Sequence, residues 1–213
     1  VLHVTSDARI PVLLDLTAAP GRSVVFTRTK HGADRLATQL RMMGVEAAAI
    51  HGNLTQGARK KALDDFSTGH ARVLVATDVA ARGIHVDDVD LVVHYDPPAD
   101  HKDYLHRSGR TARAGNTGTV VSFVLSDQVR DHQRMRERAG VEANAVAVVP
   151  GHPAVRQVAE SGEAIVVQPR IHNPRGRSGS GRPRRPGAPS GRPSGSGAPR
   201  GGSYATRSAS PAR

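Results

Sequence analysis

Short apolar runs alternate with helical patterns over residues 1–150, and this alternation most constrains the fold. The candidate strands are rich in β-branched residues and cover residues 23–27, 45–50, 72–76, 90–94 and 119–125. Between them, apolar residues recur at helical spacing over residues 30–43, 55–66, 79–82, 102–108 and 127–139. Strands that are apolar on both faces and alternate with helices are typical of a parallel sheet covered on both sides. We therefore predict an α/β domain with about six parallel strands and helices on both faces of the sheet.

The charge of the chain is concentrated at its C-terminal end. Residues 1–150 carry a net charge of +2, whereas residues 151–213 contain 11 Arg and two Glu, a net charge of +9. We predict a folded domain over residues 1–140, a weakly structured extension over 141–172 and a disordered basic tail over 173–213. The tail contains no Leu, Ile, Val or Phe, so burial cannot offset the entropy lost on ordering it. Its Arg, Gly and Ser content is typical of segments that bind single-stranded nucleic acid, although an inert linker is the alternative.

Composition excludes several classes of protein. The chain has no Cys, which rules out disulfide frameworks and thiolate metal sites. No apolar run approaches the length of a membrane span, and no signal peptide is visible before Leu14. We expect a cytoplasmic protein without metal ligands of its own and without a membrane partner.

Polar clusters follow four of the predicted strands. They are Thr27-Arg28-Thr29, His51-Gly52-Asn53, Thr77-Asp78 and Tyr95-Asp96-Pro97-Pro98. In an open parallel sheet, function gathers at the carboxyl ends of the strands, so these clusters are expected to share one edge. Capping and turn formation explain any one of them, but less easily all four together.

Three arginines, Arg107, Arg110 and Arg113, lie close together after the fourth cluster. The spacing of Arg110 and Arg113 corresponds to one helical turn, which would aim both guanidinium groups at one point. Converging guanidinium groups suit a transferring phosphoryl group, because negative charge spreads over its oxygens. A solvated basic helix end is the alternative.

Four segments together resemble a known family. Residues 24–29 (VVFTRT), 51–59 (HGNLTQGAR), 75–84 (VATDVAARGI) and 106–113 (HRSGRTAR) look like the fourth, following, fifth and sixth motifs of superfamily 2 helicases, in the same order. The combination resembles the second RecA-like domain of DEAD-box RNA helicases over about residues 1–140. The HGN element with a basic tail resembles a bacterial subfamily.

The resemblance implies a role for each matching residue. Arg110 and Arg113 would be arginine fingers that reach ATP, and His106 would help couple the nucleotide to the RNA site. Asp78 and Gly83 would shape the fifth-motif loop beside the nucleotide. The residues that would contact RNA, mainly at sugar and phosphate, are Thr77, Arg28, Gly52, Gln56 and Arg59.

Position 85 departs from the family pattern. It is His85, where the family usually has an Asp that holds the nucleotide ribose. An imidazole can still form one hydrogen bond to a hydroxyl group, so His85 stays a candidate for ribose binding. A residue of a surface loop is the alternative.

The sequence also lacks two elements that ATP hydrolysis requires. It contains no G-x-x-x-x-G-K-[ST] loop and no Asp-Glu-Ala-Asp run that would position Mg²⁺. In the resembled family these elements belong to an N-terminal RecA-like domain. The resemblance therefore implies a monomeric ATP-dependent RNA helicase in which this chain is the C-terminal half and does not hydrolyse ATP alone. A non-enzymatic RNA-binding or annealing protein and a DNA-directed superfamily 2 helicase are the alternatives.

Overall fold

The chain builds one seven-stranded parallel sheet. The computed structural model describes residues 1–81, 86, 89–112 and 117–161. The strands are β1 (Leu2–His3), β2 (Ser23–Phe26), β3 (Ala47–Ile50), β4 (Val73–Ala76), β5 (Leu91–His94), β6 (Thr119–Val124) and β7 (Val146–Ala147). Their order across the sheet is β3-β4-β2-β5-β6-β1-β7, and all pairs are parallel. The predicted parallel α/β architecture is confirmed, with seven strands where about six were expected.

Helices cover both faces of the sheet. They are α1 (Arg9–Thr17), α2 (Lys30–Met42), α3 (Gln56–Ser67), α4 (Asp78–Ala81), α5 (His101–Ser108), α6 (Val129–Ala139) and α7 (Pro153–Ser161). Leu13 of α1, Leu36 of α2 and Val155 of α7 belong to one buried cluster, whereas Phe66 of α3 and Ala80 of α4 belong to a second. The sheet therefore lies between two cores.

The central strands explain their own sequence pattern. Every residue of β2, β4 and β5 is buried. Along β2, Val25 packs into one core, and its neighbours Val24 and Phe26 pack into the other. A strand buried on both faces needs apolar residues at successive positions, which is the pattern that predicted it.

Two elements near the beginning of the chain were not predicted. β1 has two residues and pairs with both β6 and β7. α1 buries Val12, Leu13 and Leu16, although its sequence contains Pro11. Proline is tolerated there because the N–H groups of a first helical turn have no partner within the helix.

Residues 141–161 differ from the weakly structured extension that the sequence predicts. They form β7 at the edge of the sheet and α7, which packs against α1. Val148, Val155 and Val158 are buried in the same cluster as α1 and α2. These valines are too widely spaced in a segment rich in Pro, Gly and Ala to give a clear periodic pattern. The predicted tail, 173–213, lies outside the described residues, and none of the described helices is long and apolar enough to cross a membrane.

Two histidines are buried beneath α5. His94 ends β5 with no exposed surface, and its Nδ1 lies 3.2 Å from Ser122 Oγ. His132 of α6 is 4% exposed, and the Tyr104 ring lies between the two imidazoles, with centroids 4.9 Å from His94 and 6.3 Å from His132. Burial, reinforced by nearby Arg107, holds the pKa of His94 well below its usual value. Burial and nearby Arg136 lower the pKa of His132 to about 4. Both imidazoles are therefore neutral at pH 7.

This burial predicts that the domain loses stability in mild acid. An unfolded histidine takes up a proton near pH 6.5, whereas folded His132 does so only near pH 4. Between these values the unfolded state binds more protons, so the free energy of unfolding falls as the pH falls. We expect the urea midpoint to drop through this window, with a smaller drop in His132→Gln. His31→Gln, at an exposed position on α2, is the matched control and should retain the full drop. Equal pH dependence in His132→Gln and the unchanged chain would contradict this account.

Candidate functional site

Four adjacent strands end level with one another at one edge of the sheet. Ile50, Ala76, Phe26 and His94 are paired in register as the last residues of β3, β4, β2 and β5. Neighbouring strands are about 4.8 Å apart, so the segments that follow them form a continuous rim. The four polar clusters predicted to share an edge therefore do so.

A buried ion pair joins two of these segments. Arg107 of α5 is 2% exposed, and its Nε and Nη2 donate to Asp78 Oδ1 and Oδ2 at 2.6 and 2.7 Å. Its remaining nitrogen, Nη1, donates to the carbonyl of Asp96 at 2.7 Å, and its guanidinium carbon lies 5.2 Å from the centre of the Phe26 ring. Two parallel hydrogen bonds to one carboxylate fix the orientation of a guanidinium group. Arg107 thus holds α5 against the segment that follows β4.

Arg110 lies in the turn after α5 and not on the helix. Helix α5 ends at Ser108, the Gly109 N–H donates to Leu105 O at 2.8 Å, and the Arg110 N–H donates to Arg107 O at 3.2 Å. Two residues later Ala112 has a φ of 55°, in the left-handed region that ends a helix. The prediction that helical spacing aligns Arg110 and Arg113 is therefore wrong, because the helix ends before either residue. Arg113 lies outside the described residues.

The turn that carries Arg110 is anchored from both sides. The Thr111 hydroxyl donates to Val89 O, and the Val89 N–H donates to Arg110 O at 3.3 Å. A side chain at Gly118 would come within 1.9 Å of Thr111 Oγ1, so the turn packs directly on that glycine. Arg110 is half-buried, whereas His106 on the last turn of α5 is exposed.

The residues expected to contact RNA follow three adjacent strands. Arg28 after β2 and Gly52 and Gln56 after β3 are exposed. Thr77 after β4 is 8% exposed, so little of it reaches the surface of the rim. Arg59 is half-buried, and its Nη2 donates to Ala80 O at 3.0 Å, which ties α3 to α4.

The remaining predicted site residues divide between two groups. Asp78 is described, and its carboxylate is occupied by Arg107. Gly83 and His85 lie outside the described residues, so their roles stay predictions. Among the described residues, no three His, Asp or Glu side chains come together in a way that could hold a metal ion.

Sequence reasoning missed three supporting contacts. His51 is buried, and its Nε2 lies 2.8 Å from Asp34 Oδ1, while its Nδ1 accepts from the Asn53 N–H at 3.3 Å. Since Nδ1 accepts, Nε2 carries the proton and donates to Asp34. The inward position of Arg107 and the hydrogen bonds of Asp96 were also missed. Asp96 had a visible signal, because it stands at the end of a strand before two prolines; Asp34 had none.

The Arg107–Asp78 pair should be the costliest ion pair of the rim to break. Asp78→Ala would leave a buried guanidinium without its carboxylate, which we expect to lower the free energy of unfolding by about 3 kcal/mol. Asp65→Ala is the matched control, because Asp65 pairs with the exposed Lys61 at 2.7 Å. That change should cost less than about 1 kcal/mol. Chemical denaturation of both variants measures the difference, and equal losses would show that the buried pair does not hold α5 in place.

Comparison with known proteins agrees with this geometry. Residues 8–115 match the helicase conserved C-terminal domain family, which covers the rim, α4 and α5. The ATP-dependent rRNA helicase RRP3 of Coccidioides immitis is 43% identical over 169 residues, which are 78% of this chain and 36% of that protein. The chain thus spans about a third of the length of that relative.

Solved structures of similar domains have the same fold. The DEAD-box protein SrmB of E. coli, in complex with the regulator of ribonuclease activity A, is 36% identical with a TM-score of 0.60; the match covers 70% of this chain and 88% of that one. Dbp5 of S. cerevisiae, bound to RNA and ADP BeF3, is 33% identical with a TM-score of 0.63; the match covers 68% of this chain and 41% of that one. The sheet, the rim and the family match lead to one conclusion: the chain belongs to the helicase conserved C-terminal domain family and is a RecA-like domain of the DEAD-box type.

Proposed function

We propose that this chain is the C-terminal half of an ATP-dependent RNA helicase that unwinds short RNA duplexes. One observation carries the proposal: Arg107 binds Asp78, the residue directly after Thr77, and Arg110 follows three residues later. The pair therefore keeps the arginine turn beside the rim whose neighbouring segments carry Arg28 and Gly52. One side of the domain would bind RNA while the turn faces a nucleotide.

The arginine turn suits a role at the phosphates of ATP. When bound, ATP with Mg²⁺ supplies the phosphoryl group whose transfer drives unwinding. The residues of this chain fit the phosphates better than the metal, because the turn offers guanidinium groups and the described residues offer no carboxylate cluster. Arg110 and Arg113 would stabilise the charge that develops on the phosphoryl oxygens, and His106 would lie between nucleotide and RNA. We expect the Mg²⁺ ligands in an N-terminal RecA-like domain.

The exposed rim suits contacts that do not depend on base sequence. Arg28 offers a guanidinium group, Gly52 an accessible backbone and Gln56 an amide, all on segments that follow adjacent strands. Such groups bind phosphate and sugar oxygens, which every RNA strand presents. Thr77 and Arg59 would support this surface, Thr77 from within the rim and Arg59 through its bond to Ala80.

The proposal also includes the setting of the whole protein. The protein would act as a monomer in the cytoplasm, and closing of the cleft between its two domains would bend the RNA strand. A bacterial origin is supported by the HGN element and the basic tail, and SrmB of E. coli offers a bacterial parallel. RRP3 of C. immitis is fungal, so the origin stays a prediction.

Replacing Arg110 tests the catalytic part of the proposal. In the full-length protein, Arg110→Ala should lower RNA-stimulated ATP hydrolysis by about 10³-fold or more, since an arginine finger contributes about 10³–10⁵ in rate. Arg113→Ala should do the same, and both should leave RNA affinity largely intact. Arg130→Ala, at an exposed position on α6, is the matched control and should hydrolyse ATP normally.

Hydrolysis at the normal rate in Arg110→Ala and Arg113→Ala would show that the arginines do not reach the nucleotide. If the unchanged protein binds RNA but shows no RNA-stimulated hydrolysis, the chain belongs to a non-enzymatic RNA-binding protein.

Neutralising the tail tests its part in RNA binding. Residues 173–213 contain nine Arg and no acidic residue. Deleting them should weaken binding of single-stranded RNA and flatten its salt dependence, by about 0.7 in the log–log slope per lost phosphate contact. Replacing the nine arginines with Ser keeps the length of the tail and should have the same effect. An unchanged slope in both variants, measured by fluorescence anisotropy, would mean that the tail is only a linker.

A further inference from the structure

Asp96 bonds to segments on both sides of the rim. Its carboxylate accepts the Arg28 N–H at 2.9 Å through Oδ2 and the Arg9 guanidinium at 2.6 Å through Oδ1. Its backbone N–H donates to Phe26 O at 3.1 Å, and its carbonyl accepts Arg107 Nη1 at 2.7 Å. One residue thus contacts the segment after β2, helix α1 and helix α5.

The partners of Asp96 belong to different parts of the proposed site. Arg28 is exposed and lies on the segment after β2 that would bind RNA. Arg107 is buried and holds the helix that leads to Arg110. The carboxylate that receives Arg28 and the carbonyl that receives Arg107 are separated by only a few covalent bonds. A shift of the Arg28 segment therefore reaches Arg107 through a short and stiff path.

Arg9 keeps the Asp96 carboxylate in one orientation. Its guanidinium group donates to the Tyr95 carbonyl and to Asp96, and its central carbon lies 3.8 Å from the centre of the Tyr95 ring. The side chains of Arg9 and Asp96 are 17% and 27% exposed, so the pair is partly shielded from water. With Oδ1 held by Arg9, Oδ2 stays directed at the Arg28 amide. Asp96 is therefore fixed on one side and responds to movement on the other.

We propose that Asp96 is a positioning residue that transmits RNA binding at Arg28 to Arg107 and the arginine turn. This inference rests on the proposed function, because it requires RNA to bind beside Arg28. It adds the residue through which the RNA surface acts on the nucleotide surface within this domain. Asp96 itself would touch neither RNA nor nucleotide.

The Arg107 Nε–H group offers a direct reporter in the isolated 213-residue chain. It is buried and donates to Asp78 at 2.6 Å, so its proton should exchange slowly and give a resolved NMR signal. The signal is assigned by its loss in Arg107→Lys. The probe is a single-stranded uridine oligonucleotide of about ten nucleotides, within the usual site size of such surfaces. We expect the Arg107 signal to move in proportion to the RNA bound.

Replacing Asp96 separates transmission from binding. In Asp96→Asn the carboxylate charge is lost, so the oligonucleotide should bind with an affinity within about twofold of normal while the Arg107 signal no longer moves. Asp96→Glu keeps the charge and should restore part of the movement. Asp131→Asn, an exposed carboxylate of α6, is the matched control and should behave like the unchanged chain. If Asp96→Asn loses its dispersed amide spectrum, the comparison is made between Asp96→Glu, which should then move less, and the unchanged chain.

The outcomes distinguish the inference from the function on which it rests. An oligonucleotide that binds without moving the Arg107 signal in the unchanged chain would overturn the role of Asp96 and leave RNA binding standing. A full movement in Asp96→Asn would also overturn it. Failure of the unchanged chain to bind the oligonucleotide would overturn the proposed RNA surface and the inference with it.

Discussion

A buried guanidinium group requires a carboxylate, and this requirement organises the rim of the domain. Arg107 is almost completely enclosed, and Asp78 satisfies two of its nitrogens while the Asp96 carbonyl satisfies a third. Leaving a charge of this kind unpaired in the interior is costly, so α5 cannot move away from the segment after β4 without a large loss of stability. The position of Arg110 follows from that restriction, because the turn that carries it begins where α5 ends.

The register of the sheet makes the rest of the site possible. Parallel strands that end level bring segments distant in sequence to one edge, where each contributes a short polar cluster. Two buried cores on either side of the sheet hold these strand ends in place. The domain thus provides a rigid frame for groups that would act on ligands, and the triphosphate pocket itself would come from another domain.

The sequence predicted the central elements well because their physics is local. β2, β4 and β5 are buried on both faces and therefore read as continuous apolar runs, and Thr29 and Thr55 cap α2 and α3 with side-chain hydrogen bonds. The two-residue strands β1 and β7 are too short to form a pattern, and their pairing depends on the rest of the sheet.

The site was predicted less completely, since burial of a charged residue is not visible in sequence. Arg107, Arg110 and Arg113 look alike in the chain, yet Arg107 alone of the two described arginines is bound to Asp78. Helical spacing suggested that Arg110 and Arg113 share a face, but Gly109 and the left-handed backbone of Ala112 end the helix first. Asp96 could be recognised as a polar residue at a strand end, but its partners are 68 and 87 positions away in sequence.

The most direct test of this account is a structure of the full-length protein with single-stranded RNA and a non-hydrolysable ATP analogue. The account predicts that Arg107 remains paired with Asp78, while the Arg110 guanidinium lies about 3 Å from an oxygen of the terminal phosphate. A structure in which Arg107 leaves Asp78 to bind the phosphate, with Arg110 turned away from it, would contradict the assignment of the two arginines.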